Sequence, residues 1–280
     1  MLPVRFTILG SGTSAGVPVI GCDCEVCTST DPRDRRTRSG ACVEFVDERG
    51  QQRVILIDTS PDLRYQALRH RLQRCDAILF THHHVDHVFG LDEVRRFNAV
   101  MQQPINIYAE SHTLDNLKRV YQHIFESHKN VNASFVATLI PNLIGPETPL
   151  ELHGLRFTPL RVMHGRLPIV GFRIDRADPS AARADDPLPL AYCTDVSAIP
   201  PETWPALLGL KTLFLDALRY RHHPTHFTVD QAIDAAERIG AEQTYLVHMT
   251  HDILHGELEP RLPGTIRLSY DGLQVGELPQ

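Results

Sequence analysis

The apolar run Ala77–Phe80 leads straight into Thr81-His82-His83-His84-Val85-Asp86-His87. A short apolar segment bounded by polar residues predicts a buried strand. Alternate residues of an extended segment share a face, so His82 and His84 can grip one cation while His83 points away and is not expected to be a ligand. The turn that follows can aim Asp86 and His87 at a second ion. Three more apolar runs end in the same residue types: FTPLRVM in His164, LAYC in Thr194-Asp195 and TYLV in His248. Side chains at strand ends are held by the sheet, and loops at one edge can converge on one point. A chain with four such ends is expected to fold so that His82, His84, Asp86, His87, His164, Asp195 and His248 meet there.

The rest of the chain is arranged to supply that edge. Strand-like runs occur at Val4–Leu9, Ala41–Val46, Val54–Ile57, Ala77–Phe80, Ile105–Tyr108, Phe157–Val162, Ile169–Ile174, Leu190–Cys193, Thr212–Leu215, Thr244–Val247 and Ile266–Ser269. Helical periodicity appears in Pro61–Arg71, Leu91–Val100, His112–Glu126, Pro201–Leu208 and Val229–Ile239, the last capped by Thr228 and stopped by Gly240. Strands that later alternate with helices predict an α/β (α+β) fold with sheets packed face to face and helices outside. Asp175–Pro189, rich in Asp, Ala and Pro, reads as a surface excursion between two strands. At 280 residues the expectation is a single domain over 1–280. No apolar run approaches the roughly 20 residues a membrane helix needs, and MLPVRFTILG lacks the pattern of a signal peptide, so a soluble cytoplasmic protein is expected. The net charge of −6 argues against a surface for nucleic acid. The Arg33, Arg35, Arg36 and Arg38 cluster reads as a solvated loop.

Three of the six cysteines fall in Cys22-x-Cys24-x2-Cys27. They are too close together to staple a chain of this length, whereas three thiolates on a short loop suit zinc, which wants a fourth ligand. Cys42, Cys75 and Cys193 lie in or beside apolar segments and are expected in the core. Gly10-Ser11-Gly12 lacks the lysine of a phosphate loop and reads as a place where backbone passes close to the site.

The spaced H-x-H-x-D-H motif with its downstream His, Asp and His resembles the metallo-β-lactamase superfamily over nearly the whole chain. The resemblance implies a four-layer αββα sandwich with a binuclear site at the sheet edge. His82, His84 and His164 would bind one ion, Asp86, His87 and His248 the other, and Asp195 would bridge both. Asp58, in Ile57-Asp58-Thr59, would orient a ligand from behind. Two cations within about 4 Å make a bridging water into hydroxide at neutral pH and offset charge on an attacked group.

The segment Gly10–Cys27, with Gly16-Val17-Pro18 and the cysteine cluster, resembles the PhnP-like cyclic phosphodiesterases. That resemblance implies a fourth structural-zinc ligand at His251, three residues after His248, and a proton donor to the leaving group at His226. His222 and His223 read as surface residues, and Arg219 and Arg221 as phosphate clamps or exposed charges. The implied activity is hydrolysis of a small cyclic phosphate ester of the phosphoribosyl 1,2-cyclic phosphate kind. Its cofactors would be two divalent catalytic ions, Mn or Zn, and one structural Zn. The partner would be that substrate, with no membrane or nucleic acid and with room for a homodimer. Kept as alternatives are tRNA 3′-end processing, thioester or lactone hydrolysis, and a non-catalytic role like that of the cofactor-biosynthesis protein PqqB, which bears a similar cysteine cluster.

Overall fold

Side chains alternate across a strand, so each buried strand divides its residues between two cores. In the computed structural model, which describes residues 3–132, 134–146, 148–181, 183 and 186–278, this division builds four layers. One sheet holds β1 (Val4–Gly10), β2 (Gly40–Val46), β3 (Gln52–Ile57), β4 (Ala77–Leu79), β5 (Ile105–Ala109) and β6 (Leu139–Leu143). The other holds β7 (Leu150–Leu152), β8 (Leu155–His164), β9 (Leu167–Arg176), β10 (Leu190–Cys193), β11 (Thr212–Asp216), β12 (Gln243–Val247) and β13 (Ile266–Leu268). The last strand, β14 (Gln274–Val275), returns to pair with β1 in the first sheet. The orders are β14-β1-β2-β3-β4-β5-β6 and β13-β12-β11-β10-β9-β8-β7.

Ala41, Val43, Phe45, Ile55 and Ile57 face inward and meet Phe157, Phe172, Tyr192 and Phe214 of the opposite sheet. Their neighbours Cys42, Val54 and Leu56 face outward, onto Leu63, Leu91, Val94, Phe97, Leu114 and Leu117 of the covering helical segments. On the far side, Cys193, Leu213, Leu215 and Leu246 meet Val229, Ala232, Ala236 and Ile239. Sheets covered on both faces need near-continuous apolar strands, which is what the sequence carries. Cys42, Cys75 and Cys193 are all fully buried, as expected.

The helix Val229–Ile239 has the predicted bounds, with Thr228 accepting from Gln231 N and Gly240 left-handed at φ 68°. Others are shorter than their periodicity suggested. The 112–126 pattern splits into Ser111–Val120 and Gln122–Phe125 at Tyr121, whose hydroxyl donates to Val88 O at 2.9 Å. Pro201–Leu207 makes only 3-10 turns, with Pro205 inside; proline has no N–H for a regular helical bond. Strands β6, β7 and β14 were not foreseen. They are edge strands with little apolar alternation, and β6 contains Pro141. The 175–189 excursion leaves β9 after Arg176 and is pinned by a buried ion pair, Arg176 Nε to Asp186 Oδ2 at 2.7 Å; its residues 182, 184 and 185 lie outside the described ones. Among the described residues no helix is long and apolar enough to cross a membrane.

Asp76 joins β3 to β4. It accepts from Val54 N at 2.8 Å, from Arg53 at 2.9 Å and from Arg74 at 2.9 and 2.6 Å. Burial pushes its carboxyl up, but these donors outweigh burial and hold it below the usual range. A depressed folded value gives stability that is present above the unfolded value near 3.9 and lost as pH falls through the folded one. Asp76→Asn is expected to cost about 3 kcal/mol at pH 7 and to flatten the stability loss below about pH 4. Urea unfolding across pH checks both.

Candidate metal centre

The strands of both sheets stop at one edge, and several do so on a residue that turns sharply. Asp58 after β3, Asp195 after β10 and His248 after β12 have φ of 63°, 59° and 64°. Left-handed backbone is uncommon outside glycine, though Asp and His tolerate it best, and each instance costs of order 1–3 kcal/mol. Here it swings three polar side chains out of the strand direction and over the end of the core.

All seven sequence-predicted residues come together. The ligand atoms of His82, His84 and His164 lie within 4.8 Å of one another, as do those of Asp86, His87, Asp195 and His248. Asp195 stands between the groups. Its Oδ2 is 3.2 Å from His87 Nε2 and 3.4 Å from His248 Nδ1, and its Oδ1 is 4.0 Å from His164 Nε2. His83 turns aside and packs edge-on against His112.

The hydrogen bonds behind the rings assign their tautomers. Thr81 Oγ1 donates to Asp58 Oδ2 at 2.8 Å, so His82 Nδ1, 3.0 Å from the same hydroxyl, must donate to it. His87 Nδ1 donates to Asp58 Oδ2 at 2.7 Å and His164 Nδ1 to Thr225 O at 2.8 Å. Ser39 Oγ gives its proton to Gly12 O, so His248 Nδ1 donates to Ser39 at 2.7 Å. In each of these four rings the neutral form leaves Nε2 with a lone pair. The His82 and His87 Nε2 atoms are buried and have no hydrogen-bond partner.

His87 makes the point most sharply. Its Nε2 is 3.3 Å from an Asp86 oxygen and 3.2 Å from an Asp195 oxygen, with the ring fully buried. A lone pair against two carboxylates is repulsive unless something positive lies among them. Burial alone would lower the His87 pKa, yet Asp195, Asp86 and Asp58 drive it well above its ordinary value. Burial likewise raises Asp195, and His248 and His87 outweigh that to hold it well below the carboxylate range. Imidazole and carboxylate donors arranged in this way fit divalent cations.

His226 adjoins the same centre. Its ring stacks on His248 at 4.9 Å, and its Nε2 is 4.0 Å from Asp195 Oδ1. Its Nδ1 is 3.2 Å from Asp216 Oδ1, and Asp216 Oδ2 accepts from Phe227 N at 3.1 Å. Burial disfavours charge on this ring, but Asp216 and Asp195 raise its pKa overall. The sequence reading missed Asp216, although the signal was present: β11 is another apolar strand ending on a carboxylate. It also missed Ser39 and Thr81, which no local pattern distinguishes from other hydroxyls.

A second cluster lies nearby. His251 Nδ1 is 3.3, 3.5 and 3.5 Å from the sulfurs of Cys22, Cys24 and Cys27. Ligands bound tetrahedrally at zinc's usual 2.0–2.3 Å stand about 3.5 Å apart, so these residues fit that ion. A backbone hydrogen bond at Cys27 pulls the Cys24 thiol down to about 7, while burial pushes Cys27 up to about 11. Fully buried Arg36 ties the two loops together. It donates to Thr250 O at 2.9 Å, Ile253 O at 2.8 Å and Asp34 Oδ1 at 2.9 Å. Gly12 completes the contact, since a Cβ there would sit 2.8 Å from Arg36 O; a Cβ at Gly10 would strike Arg38 O, so both glycines flanking Ser11 allow close backbone approach.

The loop after β11 departs from expectation. Arg219 donates to the carbonyls of Arg221 and His222 at 3.3 and 3.1 Å, fastening its own loop rather than reaching out as a clamp. His222 is exposed, but His223 is half-buried with its ring centre 5.2 Å from that of His226.

A family model for the beta-lactamase superfamily domain matches residues 53–249. A solved structure described as a new diphosphatase from the PhnP family is 40% identical, covers 99% of this chain and 98% of its own, and superposes with a TM-score of 0.85. Zinc-bound PqqB from Methylobacterium extorquens is 21% identical and shares the fold at a TM-score of 0.72, covering 97% of this chain and 99% of its own. An octanoyltransferase of Porphyromonas gingivalis is 38% identical over 97% of this chain but only 51% of that protein. The chain spans about half the length of the curated relatives it matches.

Asp58 holds His87 from behind, so Asp58→Asn is expected to weaken metal affinity about 10- to 100-fold. Competition against a chromogenic chelator measures it, and an unchanged affinity would refute the assignment.

Proposed function

We propose that this chain, which belongs to the beta-lactamase superfamily, is a metal-dependent hydrolase that cleaves a phosphate diester or diphosphate bond in a small substrate, with cyclic phosphate esters of the phosphoribosyl 1,2-cyclic phosphate kind as the leading class. One observation carries the reading. Four imidazole Nε2 lone pairs and two carboxylates converge at one sheet edge, beside a histidine whose far nitrogen is held by a buried aspartate. The 40% identity to a PhnP-family diphosphatase supports phosphorus as the centre attacked.

In this reading His82, His84 and His164 would hold one cation, Asp86, His87 and His248 the second, and Asp195 both. When bound, the ions lower the pKa of water and offset charge on phosphoryl oxygens. The remaining steps belong to the protein. His226 delivers a proton from Nε2 to the departing oxygen, which matters most when that oxygen is a poor alkoxide leaving group. Asp216 accepts from Nδ1 and so keeps Nε2 turned to the reacting atoms. The Cys22, Cys24, Cys27 and His251 cluster would take a structural zinc. Thr250 and Met249 alone separate His251 from His248, so that zinc would brace a catalytic ligand.

The name octanoyltransferase describes a protein about twice as long as the matched part. The three core thiols here are fully buried, and burial drives their pKa upward, with Cys193 at about 12, which removes them as acyl carriers. The PqqB-like accessory role is disfavoured by how completely the His and Asp groups are assembled.

With Mn(II) or Zn(II) added, the protein is expected to hydrolyse bis(p-nitrophenyl) phosphate, and Asp195→Ala to abolish the activity; inactivity toward all diesters and diphosphates with either metal would reject the proposal. Asp216→Asn should lower kcat by about 100-fold on alkyl diesters and much less on p-nitrophenyl esters, whose leaving group needs no proton. Cys24→Ser should remove one equivalent of zinc by elemental analysis and lower the Tm; unchanged zinc content would exclude the structural site.

A further inference from the structure

The loop between β11 and the helix Val229–Ile239 carries two histidines that the proposed mechanism leaves unused, the exposed His222 and the half-buried His223. His223 is not a loose surface residue. Thr225 N donates to its Nδ1 at 3.4 Å, and Thr225 Oγ1 lies 3.1 Å from the same nitrogen. A nitrogen that accepts from a backbone N–H carries no proton, so the neutral ring holds its hydrogen on Nε2. Burial and the neighbouring His226 and Arg219 lower the ring's pKa, which favours that neutral form. No described residue accepts from Nε2, which leaves one donor without a protein partner beside the proton-donating His226.

The loop that carries the ring is fastened at several points. Arg219 fastens the carbonyls of Arg221 and His222. His164 donates to Thr225 O, and Gly165 sits so close that a Cβ there would be 2.8 Å from Thr225 Cγ2. The His223 ring centre is 5.2 Å from that of His226, whose Nε2 is 4.0 Å from Asp195 Oδ1. In the proposed reading the leaving group takes its proton from His226, beside which the His223 donor stands.

We infer that His223 is a substrate-binding residue whose Nε2–H donates to an oxygen of the leaving group, so that the site selects substrates with oxygen acceptors there, such as the second phosphoryl group of a diphosphate. The inference rests on the proposed hydrolase reading. A purely structural histidine would need only its Nδ1, and that difference can be tested. In His223→Asn the amide oxygen can replace Nδ1 as the acceptor for Thr225 N–H while the distal donor is lost. In His223→Gln an amide N–H can reach the Nε2 position.

Metal-loaded wild type and both variants would be compared on ADP and on bis(p-nitrophenyl) phosphate. His223→Asn is expected to lose about three- to ten-fold in kcat/KM on ADP, the size of one neutral hydrogen bond, mainly through KM. It should stay within about two-fold on the aryl ester, with His223→Gln recovering part of the loss. Equal losses on both substrates, or no loss on ADP, would overturn the inference. If the wild type hydrolyses neither compound, nor any other diester or diphosphate with either metal, the hydrolase reading fails by itself. In that event the His223 Nε2–H resonance in 15N-histidine-labelled, metal-loaded protein decides: a shift on adding inorganic phosphate supports the donor role, and an unmoved signal refutes it.

Discussion

The structure at the sheet edge depends on an electrostatic conflict that only positive charge can resolve. His87 is committed through Nδ1 to Asp58, so its other nitrogen faces two carboxylates at a buried edge and needs a proton or a metal ion between them. In low dielectric the repulsion without one is far stronger than in solution. The surrounding hydrogen bonds do not relax it. They enforce it, because Thr81, Ser39 and the carbonyl of Thr225 each take the proton that would otherwise let a ring turn. A fold that spends this many buried polar contacts on keeping lone pairs exposed to one another is organised around cations.

Rigid backbone makes that arrangement sustainable. Asp58, Asp195 and His248 each occupy left-handed conformations within two residues of the ends of β3, β10 and β12. None is a glycine, so the conformation is imposed by what flanks it: apolar strands locked between two cores on one side and fixed loops on the other. Phe6, Phe157, Phe172 and Phe214 pack between the sheets and hold the strands that lead to these residues. Function and core are separated in space but not in energy.

Much of this was legible in the residues because strand-ending ligands leave a regular mark, an apolar run that stops on His or Asp. Seven such side chains were found that way, and the two-sheet architecture followed from the same runs. Asp216 obeys the same rule, ending the apolar strand β11 on a carboxylate. Ser39 and Thr81 could not have been found, since a hydroxyl's partner is set by tertiary contact and not by local pattern. Edge strands escaped for a related reason: β6 and β7 are held by one neighbour, bury little and need no alternation. Tyr121 shows the reverse error, where a helical period ran on across a break made by a distant hydrogen bond to Val88.

The loop from His248 to His251 has a mechanical meaning. Three residues of chain reach at most about 11 Å even when fully stretched, and here both ends are fastened, one among imidazoles and the other among sulfurs. So short a tether has no slack with which to absorb motion. Chemical injury to the thiols would therefore be felt as displacement at the hydrolytic centre, and a surface loop of three cysteines becomes a point of vulnerability for a reaction in which sulfur takes no part.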